Sequence, residues 1–279
     1  MKKIVLTGGT GFIGGNLINT FSMSDEVYNI GRSIDLNSNS FVWDFKSDIN
    51  EIKLPRSIDT VIHCASIVNS SDYDNREYID INVLATLKLL EYCSKNDVKH
   101  FIFVSTGGVY GYGEEAFKED DYCNPNGIYS ITKYFAEKLC MEYSDKIDIT
   151  ILRVFFPYGK GQRGRLISNL VEKIKSGDEI IINKDGKPYI NPIHIYDLCL
   201  IVKEIVEKRT VGTFNICGNE IVSIEQLCYI IANNNMISKL NLNFTNNYSS
   251  SLIGNNNKIT NHLKYKYKIS LSEGILLDQ

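Results

Sequence analysis

The 279-residue chain predicts an α/β protein, a doubly wound parallel sheet with a smaller α+β lobe. Three observations predict it. Short β-rich apolar runs alternate with longer helical patterns through the first half, which implies a parallel sheet covered on both faces through right-handed crossovers. A glycine-rich turn stands directly between the first strand and the first helix. After about residue 155 the alternation gives way to longer helices, loop-rich stretches and one further strand.

The first run, KIVLT (3–7), leads into TGGTGFIGGNL, with Gly8, Gly11 and Gly14 spaced three apart and an apolar helix over 11–22. Glycines in this setting allow a tight turn, let backbone approach a pyrophosphate, and let the helix pack close to the strand. The pyrophosphate would rest on the helix N-terminus, where free N–H groups and the helix dipole favour an anion. The turn makes the sheet Rossmann-type and predicts a bound dinucleotide. The second strand, EVYNI (26–30), continues as GRS. An acidic residue at that point bonds a ribose 2′-hydroxyl, whereas an arginine meets a 2′-phosphate. Gly31 stands where the carboxylate would be and Arg32 follows, so NADP(H) is expected ahead of NAD(H). The third strand, FVW (41–43), ends at Asp44, read either as an adenine contact or as a solvated strand-end acid.

TVIHCA (60–65) is the fourth strand, and a helix is expected over 75–95. HFIFVS (100–105) is the fifth and runs into VSTGGVYGYG, so Ser105 and Thr106 lie at the carboxyl end of a parallel strand, where ligands bind in open α/β sheets. The next helix, over 127–144, opens with GIYSITK and carries Tyr129 and Lys133 four positions apart. Such pairs are common on helix surfaces, but this one has a use. A phenol with a pKa of about 10 is a poor acid or base at neutral pH unless nearby positive charge stabilises the phenolate. Lys133 supplies that charge one turn away, and Thr106 would hydrogen-bond the reacting oxygen. Together the three residues suit carbonyl/alcohol interconversion.

ITILRV (149–154) completes a dinucleotide-binding region over 1–155. Residues 156–279 read mainly as a substrate-binding lobe, with helices over 164–176, 195–208, 223–233 and 270–277. Its strand TFNIC (213–217) is expected to return to the main sheet. The tract NLNFTNNYSSSLIGNNNK, rich in Asn and Ser, reads as loop. A net charge of −3 with interspersed signs gives no basis for nucleic-acid or membrane binding. Seven irregularly spaced cysteines, without a C-x-x-C or clustered histidines, suggest neither a metal site nor a disulfide framework, and fit a cytoplasmic protein. The apolar run after MKK is too short for a secretion signal.

Taken together, TGGTGFIG, DTVIHCAS, INVLATLKLLEYC, VSTGGVYG, YSITK, ILRVFFPYGKGQ and PIHIYDL resemble the extended short-chain dehydrogenase/reductases of the NAD(P)-dependent nucleotide-sugar epimerase, dehydratase and reductase superfamily. The resemblance covers almost the whole chain. It implies cofactor contacts from Gly8, Gly11, Phe12, Ile13, Arg32, Asp44, Ala65, Asn82, Tyr129 and Lys133. It also implies a nucleoside-diphosphate sugar as substrate and a homodimer built through helices 75–95 and 127–144. Several positions depart from the family pattern. Gly107 and Gly108 stand where the dehydratases carry Asp and Glu, so dehydration is disfavoured. STGGVYG lacks the cysteine of the 3,5-epimerising reductases, and Cys123 reads as an ordinary loop cysteine. Phe156 replaces a frequent Asn, and Ile190 an Arg that serves the diphosphate. Gln162, Arg163 and Arg165, together with Phe156, are therefore the candidate substrate contacts, because arginine matches phosphate bidentately; the cluster is otherwise a solvated helix start. His194 is expected to pack or cap near Asp197.

The expected function is NADPH-dependent reduction of a 4-keto group on a nucleoside-diphosphate sugar, with Tyr129 as proton donor. The alternative is an NAD-dependent 4-epimerase using the same three residues. A non-catalytic NAD(P) sensor is a remote third reading, because a sensor has no need of an activated phenol.

Overall fold

A computed structural model of the protein describes residues 1–34, 39–68 and 72–277. Its contacts divide the chain into two units. The first comprises Met1–Val109, Cys123–Arg153 and Cys199–Phe214, the second Tyr110–Tyr122, Val154–Leu198 and Asn215–Gln279.

The first unit is built on seven strands: β1 (Lys3–Thr7), β2 (Glu26–Gly31), β3 (Asn39–Val42), β4 (Thr60–His63), β5 (His100–Thr106), β6 (Asp148–Val154) and β7 (Gly212–Ile216). They lie in the order β7-β6-β5-β4-β1-β2-β3, and the pairings from β3 through β5 are parallel. The strand expected at 213–217 is thus the edge of the main sheet. Ile4, Val5 and Leu6 of β1 and Phe101, Ile102 and Phe103 of β5 are fully buried, as continuous apolar runs must be when helices cover both sheet faces. Each such side chain contributes about 1.5–3 kcal/mol by leaving water. Strand order reverses between β1 and β4, and the crevice beyond their carboxyl ends is the ligand position of such sheets.

Helix α1 (Phe12–Phe21) buries Leu17, Ile18 and Phe21. The helix expected over 75–95 is wound in three ways: α2 (Asn75–Ile79), a π-helical turn (Asp80–Leu84) and α3 (Ala85–Lys95). A reciprocal Asp74–Glu77 capping box starts it, satisfying two N–H groups that the helix leaves free. The π turn adds one residue to a turn, which the apolar periodicity does not register. Helix α4 (Gly127–Glu142) follows.

In the second unit, α5 (Leu166–Ser176) ends at Gly177 in the left-handed conformation (φ 77°), a C-terminal position that glycine occupies without steric cost. Helix α6 (Ile195–Lys208) begins here and continues into the first unit. The others are α7 (Ile224–Asn234), α8 (Asn257–Leu263) and α9 (Leu271–Leu277). The polar tract expected to be loop is partly ordered. Leu242–Phe244 pairs in parallel with Ile180–Ile182, Ile253–Gly254 pairs with Ala116–Phe117, and α8 begins inside the tract. Their partners lie far away in sequence, Ile180 for Leu242 and Ala116 for Ile253, so local pattern carries no sign of them. As expected, His194 packs structurally, its ring set edge-on to Tyr158 at 5.2 Å. The buried Asp197 carboxylate accepts from the Tyr265 hydroxyl (2.6 Å) and from the Lys268 and Ile269 N–H groups, fixing the closing segment. All seven cysteines are free thiols.

Candidate active site

The glycine turn is a steric requirement. A Cβ on Gly8, whose φ is 77°, would lie 2.8 Å from the Ala65 nitrogen, and one on Gly14 would lie 2.2 Å from the Gly8 carbonyl oxygen. The backbone therefore closes β1 onto the segment after β4 and onto α1 only where side chains are missing. Gly11 is the N-cap of α1 and places no side chain over the first N–H groups, while Phe12 and Ile13 begin the helix half-buried. Beside the turn, the buried Asn29 carboxamide accepts from the Gly9 N–H (2.9 Å), and its Nδ2 has no partner among the described residues. A bare helix N-terminus and an unpaired buried donor fit the phosphate and ribose oxygens of a dinucleotide.

His63 braces this corner. Its ring bonds the Thr7 and Thr86 hydroxyls (2.6 and 3.0 Å), and burial holds its pKa well below the ordinary value, so it is neutral and structural. The Thr7 hydroxyl also accepts from the Ala65 N–H (3.1 Å). Arg32, exposed just beyond β2, donates to the Tyr73 hydroxyl (2.7 Å) and lies 5.9 Å from that ring's centroid. The Asp44 carboxylate accepts from the Lys46 and Ser47 N–H groups and the Ser47 hydroxyl, and these bonds hold its pKa below the usual carboxylate value. All three bonds fall on Oδ1, which is committed to the turn after β3.

Thr106 ends β5, and its hydroxyl accepts from the Gly108 N–H (3.1 Å). A Cβ on Gly108 would lie 2.7 Å from Ser130 Oγ and 3.4 Å from Thr106 Oγ1. The turn after β5 thus closely meets the first turn of α4, and an acid at Gly108 would force the Ser130 side chain aside. Tyr129 and Lys133 lie one turn apart on α4, Tyr129 half-buried against the core and Lys133 fully buried. The Lys133 ammonium sits 3.9 Å from the Phe103 ring centroid. Burial lowers its pKa to about 8, against the opposing pull of Cys140, Cys64 and Glu137. It is therefore mostly protonated at pH 7.

Asn82, carried inward by the π turn, donates to the Ile67 carbonyl (3.0 Å) and the Thr132 hydroxyl (3.1 Å) and accepts from the Ile67 N–H (2.8 Å). Thr132 in turn donates to the Ile128 and Tyr129 carbonyls. Asn82 thereby ties the segment after β4 to the helix turn bearing Tyr129, and its carboxamide is already fully engaged.

A buried ion pair beside these residues was not anticipated. Glu137 bonds Arg153 at 2.8 Å, both almost wholly buried, and accepts from the Ser105 hydroxyl. Ser105 thus points away from Thr106, as alternation along a strand requires. The signal in sequence was a glutamate four residues after Lys133, on the inward face of α4. Glu137→Gln strands the Arg153 charge in the interior and is expected to cost about 3–5 kcal/mol, read as a lowered urea midpoint. The Glu137→Gln, Arg153→Met double variant should recover most of it; additive losses would show the pair to be uncoupled.

In the second unit, Phe156 lines a cavity and has φ 40°, an outlying conformation for an aromatic residue. Gln162, Arg163 and Arg165 do not line that cavity. The Gln162 amide donates to the Pro157 carbonyl (2.6 Å), and Arg163 and Arg165 are exposed, Arg165 as the N-cap of α5. Among the described residues no helix is long and apolar enough to cross a membrane.

Residues 4–217 match the family described as NAD dependent epimerase/dehydratase. Among curated proteins, the chain is 27% identical over 255 residues to the uncharacterized UDP-glucose epimerase YtcB of Bacillus subtilis, covering 82% of this chain and 81% of that one. It is 29% identical over 181 residues to the UDP-glucose 4-epimerase of Vibrio cholerae, covering 60% of this chain and 55% of that enzyme. Among solved structures, the UDP-glucuronic acid 4-epimerase of Bacillus cereus in complex with UDP-glucuronic acid and NAD superimposes with a TM-score of 0.84. Its identity is 26%, and the match covers 99% of this chain and 97% of that one.

Proposed function

We propose that this chain, which belongs to the NAD dependent epimerase/dehydratase family, is a nucleotide-sugar 4-epimerase that keeps its NAD(H) through the catalytic cycle. The observation that carries the reading is the intact set of Thr106, Tyr129 and buried Lys133, with glycine at the position after β5 where a second acid would crowd Ser130. The relatives support the epimerase, the second of the readings weighed from the sequence, over the ketoreductase.

The turn residues Gly8 and Gly11, with Phe12, Ile13 and Ala65, would hold the cofactor, Arg32 and Asp44 its adenosine end, and Tyr129 and Lys133 its nicotinamide ribose, with Asn82 bracing the site. When bound, the dinucleotide would supply hydride chemistry at C4 of the sugar, oxidation as NAD+ on one face and, after the keto sugar turns over, reduction as NADH on the other. Tyr129 takes the proton of the 4-hydroxyl and gives it back to the oxygen of the inverted centre. The Lys133 ammonium stabilises the phenolate form of Tyr129, and Thr106 holds the reacting oxygen by hydrogen bonding. A homodimer through α2 to α4 belongs to the same proposal, supported by exposed Ile79, Leu84, Ile131, Phe135 and Met141 on those helices.

The test is mass spectrometry of the dinucleotide released on denaturation, followed by incubation with UDP-glucuronic acid or UDP-glucose without added cofactor. Bound NAD and formation of the C4 epimer are expected. One observation favours the ketoreductase: Gly31 and Arg32 leave no carboxylate for a ribose 2′-hydroxyl. Protein that copurifies without NAD, consumes NADPH with a 4-keto sugar and forms no epimer would establish that reading instead.

A further inference from the structure

Helix α4 carries two charges inward, Lys133 and Glu137, one turn apart and both almost wholly buried. Both oxygens of the Glu137 carboxylate are engaged. Oε1 accepts from the Ser105 hydroxyl and from Arg153 Nε (3.2 Å), and Oε2 accepts from Arg153 Nε (3.2 Å) and Nη2 (2.8 Å). Ser105 belongs to β5 and Arg153 to β6, and these strands are neighbours in the sheet. One side chain thus ties the helix to two strands.

Stability alone is a weak reason for such a pair, since apolar residues of similar volume often serve as well or better in the interior. What the pair adds is direction. Apolar contacts between α4 and β5, among them Ala136, Cys140, Phe101 and Phe103 in one core, exclude water but tolerate small shifts, whereas charge-assisted hydrogen bonds impose a geometry. The directional bonds end on Ser105, and the next residue in the chain is Thr106. Fixing Ser105 fixes the peptide unit that it shares with Thr106. Two residues earlier, Phe103 lies 3.9 Å from the Lys133 ammonium, on the face of β5 that Ser105 also occupies. The last residues of β5 are therefore registered against the helix that bears Tyr129 and Lys133. Beyond them, the Gly108 N–H donates to the Thr106 hydroxyl (3.1 Å).

We propose that Ser105 is a positioning residue: bonded to the Glu137–Arg153 pair, it sets the end of β5 against α4 and so holds the Thr106 hydroxyl in place for the reacting oxygen. The assignment rests on the roles given above to Thr106, Tyr129 and Lys133. It adds a residue that touches neither sugar nor cofactor, because Ser105 is buried and its hydroxyl is engaged by Glu137. Its effect on turnover passes through Thr106, and this distinguishes it from a serine that only supports the fold.

The test is a double-mutant cycle on the full chain, with Ser105→Ala and Thr106→Val alone and together. Each protein is assayed for C4 epimer formed from the nucleotide sugar that the wild type accepts, and for its NAD content. Ser105→Ala is expected to lower kcat roughly 10-fold, less than the roughly 10²–10³-fold loss when one donor to a reacting oxygen is removed outright. KM and NAD content should stay within about twofold, as for an interaction realised in the transition state. In the Thr106→Val background the same change should lower kcat less than about twofold, because the group that Ser105 positions is already gone. If Ser105→Ala does not fold, Glu137→Leu with Arg153→Met removes the acceptor without leaving a buried charge and takes its place in the cycle. A kcat within about twofold of wild type for Ser105→Ala, or equal losses in the two backgrounds, overturns the assignment and leaves the epimerase reading standing. A wild-type protein that forms no epimer from any UDP-, dTDP-, ADP-, GDP- or CDP-hexose overturns both.

Discussion

Replacing Tyr129 by phenylalanine is expected to lower turnover of the nucleotide sugar by roughly 10³-fold, within the range that one positioned acid–base group contributes. The change removes a single oxygen. Tyr129 is half-buried and its ring packs on the core of the first unit, so phenylalanine keeps the packing. The Asn82–Thr132 link to the backbone of α4 uses the Tyr129 carbonyl and not its phenol. Folding and NAD content should therefore match the wild type, and the loss should fall on kcat with KM nearly unchanged, as for an interaction realised in the transition state. Stopped-assay chromatography of the C4 epimers measures it. Turnover within fivefold of wild type would remove Tyr129 from the chemistry and leave the α4 pair as a packing arrangement.

Legibility from sequence followed the locality of the forces. β1 matches its apolar run residue for residue, and α4 and α6 fall within two residues of the expected helices, because burial on a repeating face writes a repeating pattern. Gly8 and Gly14 were legible because only glycine permits the backbone approaches found there. The π turn was not, since the buried positions Tyr78, Asn82, Ala85, Leu89 and Cys93 run across it at ordinary helical spacing. Glu137 and Arg153 were passed over because a charge on an inward face reads as an isolated anomaly until its partner, sixteen residues away on β6, is seen. The second unit was least legible. Its strands are two or three residues long, its Asn-rich tract pairs with distant segments, and its cavity draws Tyr112, Lys187 and Tyr248 from three stretches that share no motif. Gln162, Arg163 and Arg165 carry chemistry that suits phosphate but do not line that cavity.

Lys133→Met is expected to abolish at least 99% of activity while making the protein more stable at pH 7. In the unfolded chain Lys133 titrates near 10.5, and in the native site burial lowers it to about 8. Below pH 8 both states hold the proton, and the native state alone bears the cost of a buried ammonium, only partly offset by Phe103. Between about pH 8 and 10.5 the unfolded chain binds the proton and the native protein does not, so this residue's contribution to stability rises with pH across that window. At about 1.36 kcal/mol per tenfold change in proton affinity, the full difference is about 3 kcal/mol. Methionine removes the charge and keeps an apolar chain against Phe103, so the variant should show that gain already at pH 7 and no dependence from this site above pH 8. Activity moves the other way: wild-type kcat should fall as pH rises through about 8, when the ammonium that stabilises the Tyr129 phenolate is lost. Urea denaturation of both proteins at pH 7.0 and 9.5, set beside kcat at the same values, separates the two effects. A Lys133→Met protein less stable than wild type at pH 7 would mean that the ammonium is compensated in the native state, and that the first unit does not sacrifice stability to hold a charged lysine beneath its tyrosine.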